Sequence, residues 1–106
     1  MIQVKNGGNI MKKLFISQPM RDRSDEDIQA ERNQIMAMHP EYEEVKSFLS
    51  IDTQTMKTPA LYYLGRSLQL LAEADAVYFA DGWQGARGCV IEHECAVQYG
   101  VNILHE

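Results

Sequence analysis

Four short apolar runs alternate with three helix-spaced stretches along 106 residues, and this alternation restricts the fold more than any other feature of the chain. Residues 12–17 (KKLFIS) read as a buried strand that exits into the polar loop Gln18-Pro19-Met20-Arg21. Ser24-Asp25-Glu26-Asp27 is a capping box in the broad sense. It opens a helix carrying Ile28, Ile35 and Met36 to about Met38, and His39-Pro40 stops it. Residues 42–48 form a second strand, placed at an edge by Glu43-Glu44. After a polar loop, Thr58-Pro59 supplies an N-cap and a first-turn proline for a helix with Leu61, Leu64, Leu68 and Leu71 on one stripe. Residues 76–80 (AVYFA) are the third strand, residues 89–99 a helix closed by Gly100, and residues 101–104 the last strand. Strands and helices in this order imply an α/β three-layer sandwich with a short parallel sheet, Rossmann- or flavodoxin-like in its crossovers.

Such sheets hold ligands at the carboxyl ends of their strands. The loops at residues 17–23 and 81–88 are therefore the candidate site. The remaining composition removes several other classes. No apolar run is long enough to span a membrane. Two cysteines and the lack of a basic, then apolar leader lead to the expectation of a reducing cytoplasm. Net charge is −5, and from Ser67 onward six acids accompany a single base, Arg87. A polymeric nucleic acid needs a basic face and is not expected as a partner. A small anion held by an arginine and helix amides remains compatible with this balance.

Residues 1–10 show neither helical nor strand periodicity. Asn6-Gly7-Gly8-Asn9 back-translates to a purine-rich stretch resembling a bacterial ribosome-binding site just ahead of Met11. Residues 1–10 are thus expected to be an extension left by a mis-assigned start or a genuine arm, with one domain over residues 11–106.

On a wheel of about 100° per residue, Glu92 of the last helix falls among Cys95, Ala96 and Tyr99, on the apolar arc, whereas Glu94 and Gln98 face solvent. A carboxylate on an apolar arc is paired or functional. Arg87 and Arg21 are the candidate structural partners; desolvation and the helix N-terminus would pull its pKa in opposite directions. Ser67 lies on the apolar arc of the preceding helix, where a serine commonly bonds the carbonyl one turn back. Asp81 stands where such sheets place ligand carboxylates, and Trp83 is either a base-stacking ring or a loop anchor. Gly88 opens its helix where an amide could face an anion. Cys89, Cys95 and His93-Glu94 lack a metal spacing, and no phosphate-loop or dinucleotide fingerprint occurs, so no metal and no cofactor is expected.

Two stretches carry a resemblance. They are Phe15-Ile16-Ser17-Gln18-Pro19-Met20 and Ala74-Asp75-Ala76-Val77-Tyr78-Phe79, the latter followed by Gly82-Trp83, Arg87-Gly88-Cys89, Ile91-Glu92-His93-Glu94, Ala96 and Gly100. Together, over nearly all of residues 11–106, they resemble small bacterial and phage proteins grouped with the nucleoside 2-deoxyribosyltransferases. The resemblance implies that Glu92, in the frame Gly88, Glu92, Ala96, Gly100, is a nucleophile on the sugar. It also implies a small-molecule nucleoside or nucleotide as ligand and a homodimer or larger homo-oligomer. The chain departs from the transferases in three ways. Ser67 occupies the place of their helix aspartate, the first loop lacks their usual glycine, and Glu94 replaces a small residue. The expectation is a nucleoside or nucleotide N-glycosyl transferase or hydrolase. Glu92 and Asp81 would be catalytic. Ser17, Gln18, Pro19, Met20, Arg21, Ser67, Trp83, Arg87 and Gly88 would bind substrate. The alternative is a nucleotide-binding or sensing module without catalysis.

Overall fold

The computed structural model describes residues 4–5 and 9–106. Val4–Lys5 (β1) pairs antiparallel with Asn9–Ile10 (β2), a short hairpin where the sequence shows no period. Of the expected extension over residues 1–10, residues 1–3 and 6–8 lie outside the described residues. The rest alternates as expected. The elements are Lys12–Ser17 (β3), Asp25–Met38 (α1), Tyr42–Glu44 (β4), Pro59–Leu71 (α2), Ala76–Phe79 (β5), Arg87–Tyr99 (α3) and Asn102–His105 (β6). The four strands β3 to β6 form one parallel sheet in the order β4-β3-β5-β6. This is a small Rossmann- or flavodoxin-like α/β fold.

Strand period two divides the core. Leu14 and Ile16 point with Ala76 and Ala80 toward α1 and pack on Ile35. Phe15, Val77 and Phe79 point the other way, onto Leu71 of α2 and Ala96 of α3. One helix thus covers one face and two cover the other, the arrangement that right-handed crossovers dictate for this strand order. Asp75 fastens the sheet at its amino end: Lys13 N–H donates to its Oδ2 at 2.7 Å, and its own N–H donates to Lys13 O at 2.9 Å.

Four local expectations shift, each for a hydrogen-bonding reason. β4 stops at Glu44 instead of Phe48, because after Val45 N–H bonds Leu14 O, the Val45 carbonyl turns to Ser47 N–H and to Arg32. Thr58 precedes α2 with its carbonyl, which accepts from Leu61 and Tyr62, while its side chain caps nothing. α3 begins at Arg87, two residues before its apolar stripe, because Val90 N–H already bonds Ala86 O at 3.0 Å. β6 begins at Asn102, because Val101 N–H closes α3 on Ala96 O through left-handed Gly100 (φ 74°).

The α2 stripe is buried only toward its end. Leu71 is buried, Leu64 and Leu68 are half-buried, and Leu61 is 62% exposed. The Tyr62-Tyr63 pair divides as its adjacency requires. Tyr62 is exposed, and the Tyr63 hydroxyl bonds both the N–H and the carbonyl of Ile51, tying the long loop to α2. Among the described residues no helix is long and apolar enough to cross a membrane. Truncating Leu71 to Ala is expected to cost about 2–5 kcal/mol in urea unfolding, whereas Leu61→Ala should change stability by less than about 0.5 kcal/mol. Equal losses would mean that α2 is seated on its whole stripe.

Candidate functional site

A pocket of about 570 Å³ opens at the carboxyl ends of the strands, between the loop after β3 and the starts of α2 and α3. Its polar feature is Glu92. The side chain lies in the second turn of α3, faces the sheet as the wheel requires, and is 7% exposed. The arginine partners considered from sequence are not used. Instead the Ser17 hydroxyl, at the end of β3, donates to Glu92 Oε1 at 2.6 Å. Burial pushes the Glu92 carboxyl above the ordinary carboxylate value, and the Ser17 hydrogen bond partly opposes it. Cys89, one turn earlier, is buried in the same pocket. Burial raises its thiol pKa, Glu92 adds to the rise and Ser17 counters it, so Cys89 stays a neutral thiol at pH 7.

No side chain caps the start of α3 and no acid lies in its first turn, so its amides and dipole favour negative charge there. Arg87 and Gly88 line the pocket at that point. Arg87 is the only cation among the lining residues and Glu92 the only carboxylate. Ser17, Gln18, Pro19, Met20 and Ser67 also line it, so most of the residues expected to bind substrate converge on one cavity.

Three of the expected residues lie elsewhere. Arg21 is exposed and outside the pocket. The arginine that organises the loop is Arg23, whose Nη1 donates to Pro19 O and to Glu31 Oε1, both at 2.9 Å. Asp81, expected to be catalytic, is exposed and not among the lining residues. Left-handed Gly82 (φ 84°) follows it and turns the chain back over the protein. That turn also removes Trp83 from the cavity. Its ring packs on Phe79 and stacks on His93 with centroids 4.3 Å apart. Trp83 is therefore a loop anchor and not a ring presented to a ligand in this pocket. Gly82 itself is required by its φ. An added Cβ would meet only Pro19 Cγ, at 3.8 Å, so strain and not a clash restricts the position.

Sequence reasoning missed Arg32 and Ser47. Arg32 is fully buried, and its guanidinium reaches Glu44, Gln18, the Val45 carbonyl and Ser47. Its signal was present. Arg32 lies four residues after Ile28 and three before Ile35, on the apolar stripe of α1, and the wheel test applied to Glu92 identifies it. Ser47, in a run read as strand, had no such signal.

No family model, curated protein or solved structure matches the chain. Ser17→Ala tests the local chemistry without reference to any ligand. It removes the one hydrogen bond that holds the Glu92 pKa down, so the Glu92 carboxyl titration followed by NMR should move further up. An unchanged or lower midpoint would mean that the Ser17 bond does not stabilise the carboxylate.

Proposed function

We propose that this protein is a nucleoside or nucleotide N-glycosidase or N-glycosyltransferase in which Glu92 attacks the anomeric carbon. The observation that carries the reading is a buried, pKa-raised glutamate in the pocket, oriented by a serine hydrogen bond and with no cation partner among the described residues. A carboxylate oxygen of Glu92 bonds to the anomeric carbon as the carbon–nitrogen bond to the base breaks. The bonding pair leaves with the base, which takes a proton from solvent at the open mouth. Water, or the nitrogen of a second base, then attacks the same carbon and releases Glu92 as carboxylate. Ser17 holds Oε1 and leaves the second oxygen for attack. Arg87 and the uncapped start of α3 suit a 5′-phosphate, and the apolar neighbours Met20, Leu61 and Leu64 suit the face of a base. The likeness of Gly88, Glu92, Ala96 and Gly100 to the nucleoside 2-deoxyribosyltransferases supports the same role.

One observation favours the second reading, a nucleotide-binding module. Glu92 is the only acid among the described residues lining the pocket, and Ser67 cannot protonate a leaving base as a carboxylic acid would. In that case the ligand binds and stays intact. Either reading includes a homo-oligomer, with exposed Leu61 and Tyr62 at the start of α2 as the apolar surface that a second copy would cover.

Incubation with a panel of nucleosides and 5′-monophosphates, followed by chromatography for free base, separates the two. The catalytic reading expects base release that falls by about 10³-fold or more in Glu92→Gln. Binding without release supports the module, and neither outcome across the panel ends both. The pH dependence follows from the raised carboxyl pKa. Attack needs the carboxylate, so activity should rise with pH through a midpoint above the ordinary glutamate value of 4.5. The folded state binds this proton more tightly than the unfolded chain, so ionised Glu92 costs stability above its folded pKa and costs none below the unfolded value. Glu92→Gln should therefore melt at or above the wild-type temperature at pH 7, and that advantage should vanish on acidification through 4.5. A variant that melts well below wild type at pH 7 would mark Glu92 as a structural partner.

A further inference from the structure

The side-chain donors that Ser17, Gln18 and Ser47 bring to the pocket wall are already taken. Gln18 Nε2 donates to Glu31 Oε1 at 2.8 Å and to Ile28 O at 3.3 Å, which uses both of its protons. The Ser47 hydroxyl points at Ile16 O, 3.5 Å away, and the Ser17 hydroxyl is committed to Glu92. Arg32 completes the pattern from behind. Its Nη1 donates to Gln18 Oε1 at 2.9 Å and its Nη2 to Ser47 Oγ at 3.0 Å, while Nε is anchored on Glu44 Oε2 at 2.7 Å. The orientation of the Gln18 amide follows from both sides. Flipped, its oxygen would face the Glu31 carboxylate and the Ile28 carbonyl, and its NH₂ would face a guanidinium. Each of these three lining side chains therefore has acceptor capacity but no free proton to offer a molecule in the pocket, and Glu92 adds a carboxylate oxygen.

We infer that Arg32 is a positioning residue that makes this wall of the pocket acceptor-only, and that the wall selects ligands by their hydrogen-bond donors. The inference rests on the nucleoside reading for the identity of those donors. Glu92 works at the anomeric carbon, and Ser17, which is bonded to Glu92, lines the pocket together with Gln18 and Ser47, so the donors that meet this wall are hydroxyls of the sugar. Gln18 and Ser47 are both buried, and a ligand that displaces water from them without a replacement donor leaves a buried acceptor unsatisfied. The wall thus discriminates a sugar from the analogue that lacks one hydroxyl, more sharply than an apolar pocket separates molecules differing by a methylene.

The test titrates one nucleoside and its 2′-, 3′- and 5′-deoxy analogues by calorimetry into wild type, Gln18→Met, Ser47→Ala and Arg32→Lys. In wild type at least one analogue should bind about 10-fold or more weakly than the parent. Gln18→Met or Ser47→Ala should bring that loss to within about 3-fold, and Arg32→Lys should do the same because an ammonium cannot hold both groups in the fork geometry. Wild type treating all analogues alike, or a loss that persists in every variant, overturns the inference. Arg32→Lys disturbs a buried ion pair, so a measurement on wild type stands beside it. The Gln18 side-chain NH₂ protons should exchange slowly with solvent by NMR although the pocket is open, and fast exchange overturns the orientation assigned to Arg32. Base release is scored in the same samples. Discrimination without release leaves the acceptor wall and ends the catalytic reading. Release without discrimination does the reverse, and no binding of any analogue overturns both.

Discussion

Strand β3 is the constraint on which the rest of the structure depends. It is paired on both edges, with β4 and β5, and its side chains from Leu14 to Ser17 are buried on both faces. Its period of two then decides where chemistry can stand at its carboxyl end. Ser17 has the parity of Phe15, points to the α2 and α3 face, and meets Glu92. Gln18 has the parity of Leu14 and Ile16, points toward α1, and meets Glu31 and Arg32. A register slip of one residue would exchange the two and break both connections at once, along with the core.

The protein buries two charges near this strand end, and it treats them differently. The Arg32 guanidinium has three neutral acceptors and an ion pair with Glu44, so its desolvation is offset within the fold. Glu92 has, among the described residues, one hydrogen bond and no cation. Burial dominates there and lifts its pKa, so its carboxylate is compensated less well within the fold than the guanidinium. The contrast also divides the labour of the pocket. Arg32 and Glu31 are not among the lining residues and bond Gln18, while Glu92, Arg87 and the start of α3 line the cavity.

The α3 side depends on a second turn. Gly82 reverses the chain after β5 and carries Trp83 back against Phe79 and His93, and His93 in turn bonds Glu106 near the C-terminus at 2.6 Å. This packing holds the turn after β5 against the middle of α3. It also explains why Asp81, placed by strand logic at a ligand-binding end, stands outside the cavity. A residue at a strand end lines the crevice only where the loop beyond it turns that way, and here residues 17–20 after β3 do so while residues 81–85 after β5 do not.

The alternation of short apolar runs and helical stripes determined the element order, the parallel sheet and its three layers, because burial periodicity is written locally in the chain. It also determined that Glu92 faces inward, since a helix carries each residue's direction by its number alone, and it held the same information for Arg32. What tertiary structure decided was partnership. Whether Glu92 meets an arginine or a serine, whether Trp83 lies over the pocket or under α3, and whether Arg21 or Arg23 organises the first loop depend on left-handed turns at Asp22 and Gly82 and on residues far apart in the chain brought together by the sheet. Periodicity encodes which way a side chain points, and only the closed fold supplies what it then touches.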